Sequence, residues 1–340
     1  MNVLTLETTC DETAAAIVTD QFQVLSSVVA SQDALHQRFS GVVPEIAARA
    51  HVERILPVID EALRLAKLQL ADIGAVGVAN TPGLAGSLLV GLVTAKALCL
   101  GLGKPLIAVN HLHAHIYACR LVSETDVFPC VGMIVSGGHS NIYLCDSPCE
   151  FRYMGGTIDD AAGEAFDKVA CMLGLPYPGG PAIGRVADSG DPQAFRFPRS
   201  FLNDETRLDF SFSGLKTAVR YTIAGNGKSE FIRPAMSPQL VADLAASFQE
   251  AVVDCLVSKA ILAVQNSGLG TLCVGGGVAA NKRLRQRLST AAAEAQIELH
   301  IAPPALCTDN AVMGAIAVER LKAGLVEDLD LDVLPGLVRR

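Results

Sequence analysis

Tryptophan is absent from the 340 residues, and aromatic side chains make up only 5% of them. The core must therefore be aliphatic, with Ala, Val, Leu and Gly letting helices and sheet approach closely. Charged residues are scarce at 18%, half the residues are hydrophobic, and no low-complexity tract occurs, which excludes an extensively disordered chain. A net charge of −8 excludes a broad basic surface that grips nucleic acid unaided. The local exception, Lys282, Arg283, Arg285 and Arg287, spreads around a helix and reads as a solvated face. The ten cysteines form no C-x-x-C pair, which excludes a zinc ribbon and a thioredoxin-like site. Most of them, including Cys99, Cys171 and Cys273, sit in apolar segments, and free thiols of this kind point to a reducing cytoplasm. Met1 to Glu7 lacks the basic start and apolar run of a signal peptide. The single membrane-length candidate, Leu84 to Leu102, contains Lys96 and is interrupted by Gly86, Gly91 and Gly101; it reads as a buried helix whose small residues admit a second helix, such as one from a partner protein, and no membrane is expected.

The length suits two domains. Residues 3–7 and Ala14 to Val18 read as strands joined by the polar turn Cys10-Asp11-Glu12-Thr13, together a hairpin. A helix from about Pro44 follows, with Ile55, Ile59 and Leu63 at four-residue steps, then a strand at Ala75 to Ala79, the turn Thr81-Pro82-Gly83, the apolar helix, and the strand Pro105 to Val109. The order restarts near residue 130: strand Cys130 to Val135, turn Ser136 to His139, strand Asn141 to Cys145, and later a helix over 237–266, a strand Thr271 to Val274 and the loop Gly275-Gly276-Gly277. This is a duplication of architecture without duplication of sequence, and it predicts two α/β lobes with a cleft between them.

Glycine-rich turns after strands let backbone N–H groups approach a phosphate, because no Cβ stands in the way. Ser136-Gly137-Gly138, Gly179-Gly180 and Gly275-Gly276-Gly277 are such places, the last opening onto a helix that contains Asn281. Neither G-x-x-x-x-G-K-[ST] nor G-x-G-x-x-G occurs, so a nucleotide site here would be of the hairpin-turn type.

Three of the seven histidines crowd into Asn110-His111-Leu112-His113-Ala114-His115. On a helix, His111 and His115 at i and i+4 share a face and can meet one metal ion; in a strand all three would lie on one side; and ordinary polar residues at a strand end account for them equally well. Asp160, Glu164 and Asp167 have helical i, i+4 and i+7 spacing, so one face would carry three carboxylates; a helix dipole accounts for Asp159 and Asp160 but less easily for Asp167, which could hold ribose hydroxyls. Asp309, in Cys307-Thr308-Asp309-Asn310, is adequately explained as a cap for a helix from about Ala311; as a third ligand it would complete a His-His-carboxylate site suited to Zn²⁺ or Fe²⁺.

Almost end to end, the chain resembles the TsaD family of tRNA threonylcarbamoyladenosine transferase subunits. The segments that carry the resemblance are Glu7 to Thr13, Gly41 to Glu45, Lys96 to Ile116, Val135 to His139, Ile158 to Lys168, Tyr177 to Pro181, Phe210 to Thr217, Gly275 to Asn281 and Cys307 to Asn310. The resemblance implies an α/β actin/Hsp70/sugar-kinase (ASKHA) fold, with two ribonuclease-H-like lobes, residues 1–120 with about 310–340 and residues 121–309, around a nucleotide cleft. It implies transfer of a threonylcarbamoyl group from threonylcarbamoyl-adenylate to the exocyclic amine of the adenosine beside the anticodon in tRNAs reading ANN codons, with release of AMP. It further implies His111, His115 and Asp309 as ligands of one divalent metal, Fe²⁺ or Zn²⁺ ahead of Mg²⁺, and Ile134, Val135, Ser136, Gly137, Gly138, Asp167, Gly180 and Asn281 as adenylate-binding positions. Asp11 and Glu12 match positions near the reaction centre. His113 stands where close relatives often carry Glu. The implied partners are a TsaB-like paralogue and a TsaE-like ATPase in a hetero-oligomer, together with the tRNA substrate.

Two other readings compete. A metal-dependent endopeptidase of the zincin type needs His-Glu-x-x-His, but Leu112 follows His111 and no glutamate separates the histidines. A non-catalytic nucleotide-binding scaffold of the same fold is the other, and an apparently complete set of metal and nucleotide positions argues against it.

Overall fold

The apolar runs Asn2–Glu7 (β1) and Glu12–Thr19 (β2) pair as an antiparallel hairpin, with Leu4 opposite Ile17 and Leu6 opposite Ala15. Nearly every residue of both is buried, as expected for strands covered on both faces. In the computed structural model, which describes residues 1–39, 41–225 and 231–336, the chain divides into two units. The first comprises Met1–Asp126, Asp146–Phe151 and Thr308–Arg340, and the second Val127–Cys145 and Arg152–Cys307.

In the first unit Val24–Ser31 (β3) adds antiparallel to β2, followed by the short helix Asp33–His36 (α1) and the long helix Pro44–Ala66 (α2). Proline at the first helical position costs α2 no hydrogen bond, and Lys67 in the left-handed conformation ends it. Ile73–Thr81 (β4), Ala85–Leu102 (α3) and Leu106–Asn110 (β5) follow, both strands parallel to β1, which gives the order β3-β2-β1-β4-β5. Ile55, Ile59 and Leu63 of α2 and Leu92 and Cys99 of α3 pack onto Leu4, Leu6, Ile17, Val76 and Val78 of the sheet. His111–Arg120 (α4) leaves β5 directly. Near the C-terminus Val312–Ala315 and the helix Ile316–Lys322 return to this sheet: Thr5 Oγ1 donates to the Ala311 carbonyl at 2.6 Å, and a Cβ on Gly77 would lie 2.7 Å from that of Ala317.

The second unit repeats the plan. Cys130–Val135 (β6) and Ser140–Ser147 (β7) form an antiparallel hairpin, Glu150–Gly156 (β8) flanks β7, and Thr271–Gly275 (β9) and Glu298–Ile301 (β10) run parallel to β6. The order β10-β9-β6-β7-β8 is that of the first sheet with each strand at its equivalent position. Its helices are Ala162–Leu173 (α5), Gly179–Ala187 (α6), Ser213–Ala224 (α7), Pro238–Ser267 (α8), Lys282–Glu294 (α9) and Pro304–Cys307 (α10). Ser237 caps α8 by accepting the Leu240 N–H at 3.2 Å.

The structure corrects three expectations. β3, β8 and β10 extend each hairpin and sheet beyond what the apolar runs indicated. The helix α3 is long and apolar enough to cross a membrane, but it packs on β4 and α2 with one face only; Leu88, Gly91, Leu92, Ala95 and Cys99 are buried, whereas Leu89, Val93 and Leu100 are exposed. The basic run on α9 is not wholly a solvated face: Lys282 is exposed, but Glu250 and Asp254, one turn apart on α8, gather Arg283 and Arg287, and Arg285 donates to the Ala302 carbonyl. Arg283 binds Glu250 through two bonds of 2.7 and 2.8 Å, Arg287 binds Glu250 and lies 3.0 Å from Asp254, and Arg199 joins Asp254 at 3.1 Å.

Candidate functional site

Asn110 ends β5, and its side-chain oxygen accepts the N–H groups of Leu112 and His113, so α4 begins at His111. His111 and His115 are therefore one turn apart on one face, both buried, with ring centroids 4.7 Å apart in an edge-on arrangement. Both Nε2 atoms aim at a single oxygen, Asp309 Oδ1, at 3.1 Å from His115 and 3.6 Å from His111. Beside Asp309, Asn310 Oδ1 accepts the Met313 N–H at 3.1 Å at the start of the turn Val312–Ala315.

Behind His111 stands Glu7, at the end of β1, whose Oε2 lies 3.1 Å from Nδ1; Thr9 Oγ1 is 3.2 Å from the same nitrogen. A carboxylate only accepts, so Nδ1 carries a proton and Nε2 is directed at Asp309 as a potential ligand atom. The other Glu7 oxygen accepts the Thr9 N–H at 2.7 Å. Burial disfavours a charged His111, but Asp309 and Glu7 outweigh it and push its pKa up to about 9. A cation bound there would take the place of the Nε2 proton that these anions favour.

The ligand atoms of His111, His115 and Asp309 all lie within 4.8 Å of one another. Bonds of about 2.1 Å at tetrahedral angles place ligand atoms roughly 3.4 Å apart, and the separations of 3.1 and 3.6 Å bracket that value. Two buried imidazoles and one half-buried carboxylate, convergent on one point, fit a divalent cation with coordination positions left for substrate oxygen. His115 Nδ1 is buried without a hydrogen-bond partner among the described residues, so Glu7–His111 is the anchored half of the pair.

His113 lies on a different face. Its ring stacks on Phe151 at 4.0 Å with an 8° tilt, and burial, assisted by the Arg320 charge, pulls its pKa down to about 3, which makes it a neutral packing imidazole. Asp11 and Glu12 occupy the β1–β2 turn, with Asp33 close by. Burial, then the charges of Asp309 and Asp11, hold the Glu12 carboxyl well above the usual carboxylate range.

In the second unit the glycine turns gather around the start of α5 and the end of β6. Ile134 and Val135 are strand residues with buried side chains, whereas Gly137 and Gly138 in the next turn are exposed, with open space where a Cβ would stand. Gly163 packs on this turn: its N–H donates to the Ser136 carbonyl at 3.1 Å, and a Cβ there would come 2.6 Å from that oxygen. Gly276, at φ 92, passes the Val135 carbonyl so closely that a Cβ would sit 2.5 Å from it. Asp167 accepts the Gly179 N–H at 2.7 Å at the N-terminus of α6, next to Gly180. Asn281 caps α9 by accepting the Leu284 N–H at 3.0 Å and donates to Gln249 at 2.7 Å. Asp160 does not share a helical face with Glu164 and Asp167, because α5 begins only at Ala162; it instead binds Lys168 at 2.9 Å and Lys216 at 2.6 Å. Asp159 holds the start of α7 by accepting the Phe212 and Ser213 N–H groups.

The family model described as "TsaD: tRNA N6-adenosine threonylcarbamoyltransferase" matches residues 23–316. The chain belongs to this family. A tRNA N6-adenosine threonylcarbamoyltransferase of Rhodopirellula baltica is 55% identical over 349 residues, covering 99% of this chain and 97% of that protein. One from Symbiobacterium thermophilum is 50% identical over 336 residues, covering 98% and 96%. Among solved structures, the Acidaminococcus fermentans (R)-2-hydroxyglutaryl-CoA dehydratase component A superposes with a TM-score of 0.53 at 13% identity, over 95% of this chain and 99% of that one. Full-length HypF in its phosphate- and nucleotide-bound form gives 0.62 at 14% identity, over 95% of this chain and 46% of that one. At such identities the likeness concerns the fold, which is of the α/β ASKHA type.

Glu7 was not singled out from the sequence as a functional residue. Its signal is a carboxylate ending the otherwise apolar strand β1, a position that is costly unless the group has buried donors to serve.

Proposed function

We propose that this chain transfers the threonylcarbamoyl group of threonylcarbamoyl-adenylate to N6 of the adenosine beside the anticodon in tRNAs reading ANN codons. Family membership supports the reaction, and the convergence of two Nε2 atoms on Asp309 Oδ1 is the observation that carries a metal-assisted version of it. The donor set favours Fe²⁺ or Zn²⁺ over Mg²⁺, which prefers an all-oxygen shell. When bound, such an ion supplies positive charge that polarises phosphate or carbonyl oxygen.

The chain's own residues supply the rest. Ser136, Gly137 and Gly138 present a turn with no side chain over its glycines, and Gly180 lies at the N-terminus of α6; both suit the phosphate of the adenylate. Asp167 and Asn281 are the polar side chains beside these turns and are assigned to the nucleoside. In the transfer, the N6 lone pair attacks the carbamoyl carbon, the bond from that carbon to the phosphate oxygen breaks, and AMP leaves with the bonding electrons. Asp11 and Glu12, on a turn close enough to Asp309 for its charge to act on the Glu12 carboxyl, are assigned to handle the proton lost by the amine. An arylamine is a weak base, so holding it in line contributes more than general-base strength.

A TsaB-like partner is proposed for the exposed apolar side chains of α2 and α3, two helices packed on each other, where Val52, Leu56, Leu89, Val93 and Leu100 are all solvent-facing. A TsaE-like ATPase completes the assembly, in the cytoplasm.

Purified protein, supplied with its partners, threonine, bicarbonate, ATP and unmodified tRNA, is expected to form threonylcarbamoyladenosine, detected by nucleoside mass spectrometry. His115→Ala is expected to abolish the product while adenylate synthesis by the partner enzyme continues. No product from the wild-type chain would refute the transferase assignment, and full activity of His115→Ala would refute the metal ligands.

A further inference from the structure

Within the first unit, a buried chain of neutral side chains ends on the turn that carries Asp11 and Glu12, and its direction can be read bond by bond. The Val43 N–H donates to His36 Nδ1 at 3.3 Å, so the His36 proton sits on Nε2 and is given to Gln32 Oε1 at 3.2 Å. That fixes the Gln32 amide, whose nitrogen turns to the Ala47 carbonyl at 3.4 Å and to the His51 ring, 3.4 Å from Nδ1 and 3.5 Å from Nε2. The Cys10 carbonyl at the other end of the ring only accepts, which leaves Nδ1 of neutral His51 to receive the Thr13 hydroxyl at 2.8 Å. The ring proton is on Nε2, which donates to the Cys10 carbonyl at 3.0 Å. Burial lowers the His51 pKa and keeps the ring neutral. Gln32, His36, His51 and Thr13 have no exposed surface, so each bond is made within protein rather than shared with solvent.

Two further donors meet the same turn. Ser87 Oγ reaches the Cys10 carbonyl at 3.3 Å, and the Gln32 backbone N–H holds the Asp11 carbonyl at 3.0 Å. Both carbonyls immediately before Glu12 are thereby pinned, and the peptide planes that set the directions of the Asp11 and Glu12 side chains have no freedom to rotate. A well-packed aliphatic residue would fill the His51 position at lower desolvation cost; what only the imidazole provides is an acceptor for Thr13 and Gln32 on one side and a donor for Cys10 on the other.

We propose that His51 is a positioning residue of the transfer reaction, its Nε2–H tautomer fixing the Cys10–Asp11 backbone and so aiming Asp11 and Glu12 beside Asp309. The kinetic part rests on the transferase reading; the tautomer does not. Two-bond ¹⁵N–¹H correlation spectra of the labelled full-length protein are expected to show His51 as neutral and protonated at Nε2, and an Nδ1–H tautomer would overturn the relay. In the reconstituted reaction, His51→Leu keeps volume without a donor, whereas His51→Gln keeps an N–H able to reach the Cys10 carbonyl. His51→Leu is expected to lower kcat by ~10²-fold, the scale of a sub-ångström to 1 Å misplacement, with KM for adenylate changed less than about twofold. Metal stoichiometry should stay at the wild-type level, and His51→Gln should restore at least about tenfold of kcat. If His51→Leu does not fold, Thr13→Val against Thr13→Ser makes the same comparison by removing only the hydroxyl that orients Nδ1. Wild-type kcat in the donor-less variants, or a loss that the conservative variants do not restore, overturns the proposal. Absence of product from the wild-type protein sinks the transferase reading instead, and the spectrum then still decides the relay.

Discussion

Replacing Glu7 by glutamine tests the proposed metal centre without touching a proposed ligand. Glu7 offers two acceptor oxygens to two donors, the Thr9 N–H at 2.7 Å and His111 Nδ1 at 3.1 Å. Glutamine has the same shape but only one acceptor oxygen, so one donor must face an NH₂ group. If the amide oxygen stays with Thr9, the NH₂ faces Nδ1, His111 shifts its proton to Nε2, and the ligand atom is blocked. If the amide flips, Nε2 stays available but the buried Thr9 N–H meets another donor. Either way a charge-assisted bond is lost inside a site where both side chains are buried, at a cost of about 1.5–3 kcal/mol. At 1.4 kcal/mol per decade this is roughly a 10- to 100-fold loss in affinity, the range found when the outer partner of a metal-bound histidine is removed. Titration with Zn²⁺ against a competing chelator, on wild type and Glu7→Gln at the same pH, measures it directly, with thermal unfolding of the metal-free proteins as the control. Equal affinities would show that the Glu7–His111 bond does not set the tautomer and would refute the reasoning.

Three other expectations are open to measurement. Gly276→Ala puts a Cβ 2.5 Å from the Val135 carbonyl at φ 92; strain of about 1–3 kcal/mol is expected, read as a lower urea midpoint, and an unchanged midpoint contradicts it. Asp160 is opposed by burial, but its bonds to Lys216 and Lys168 hold its carboxyl below the ordinary range. A depressed folded-state pKa stabilises above the unfolded value of about 3.9 and is lost as pH falls through the folded one, so Asp160→Asn should destabilise at neutral pH and converge on wild type in acid; a pH-independent difference in urea midpoints would exclude this. Leu89→Glu with Val93→Glu, both at exposed α3 positions, should weaken binding of the TsaB-like partner by at least about tenfold with little change in Tm, and an unaltered Kd in titration calorimetry rejects that surface.

The hairpin-led repeat is legible in the sequence because β1, β2, β6 and β7 are built around short apolar, largely buried stretches such as Ala14–Val18, Cys130–Val135 and Ile142–Cys145. β3, β8 and β10 are not, and all three lie at sheet edges. An edge strand is partly solvated and carries polar residues such as Ser26, Ser27, Glu150, Arg152 and Glu298, so no apolar run betrays it. The same contrast of local and remote holds at the candidate site. The i, i+4 relation of His111 and His115 is a property of ten adjacent residues, whereas Glu7 meets His111 across 104 positions and Asp309 meets His115 across 194. The partners of Arg283 and Arg287 on α9 are hidden from the local sequence for the same reason, since Glu250 and Asp254 reach them from another helix.

The return of the chain from the second unit to the first at Thr308 has a consequence for biosynthesis. Both histidines and Glu7 leave the ribosome early, but the carboxylate on which they converge is translated almost two hundred residues later. A nascent chain stopped anywhere within the second unit therefore displays two imidazoles and no third ligand. On the proposed ligand set, tight metal capture would be a late event in the life of the polypeptide, and a truncated product would be marked by its inability to retain the ion.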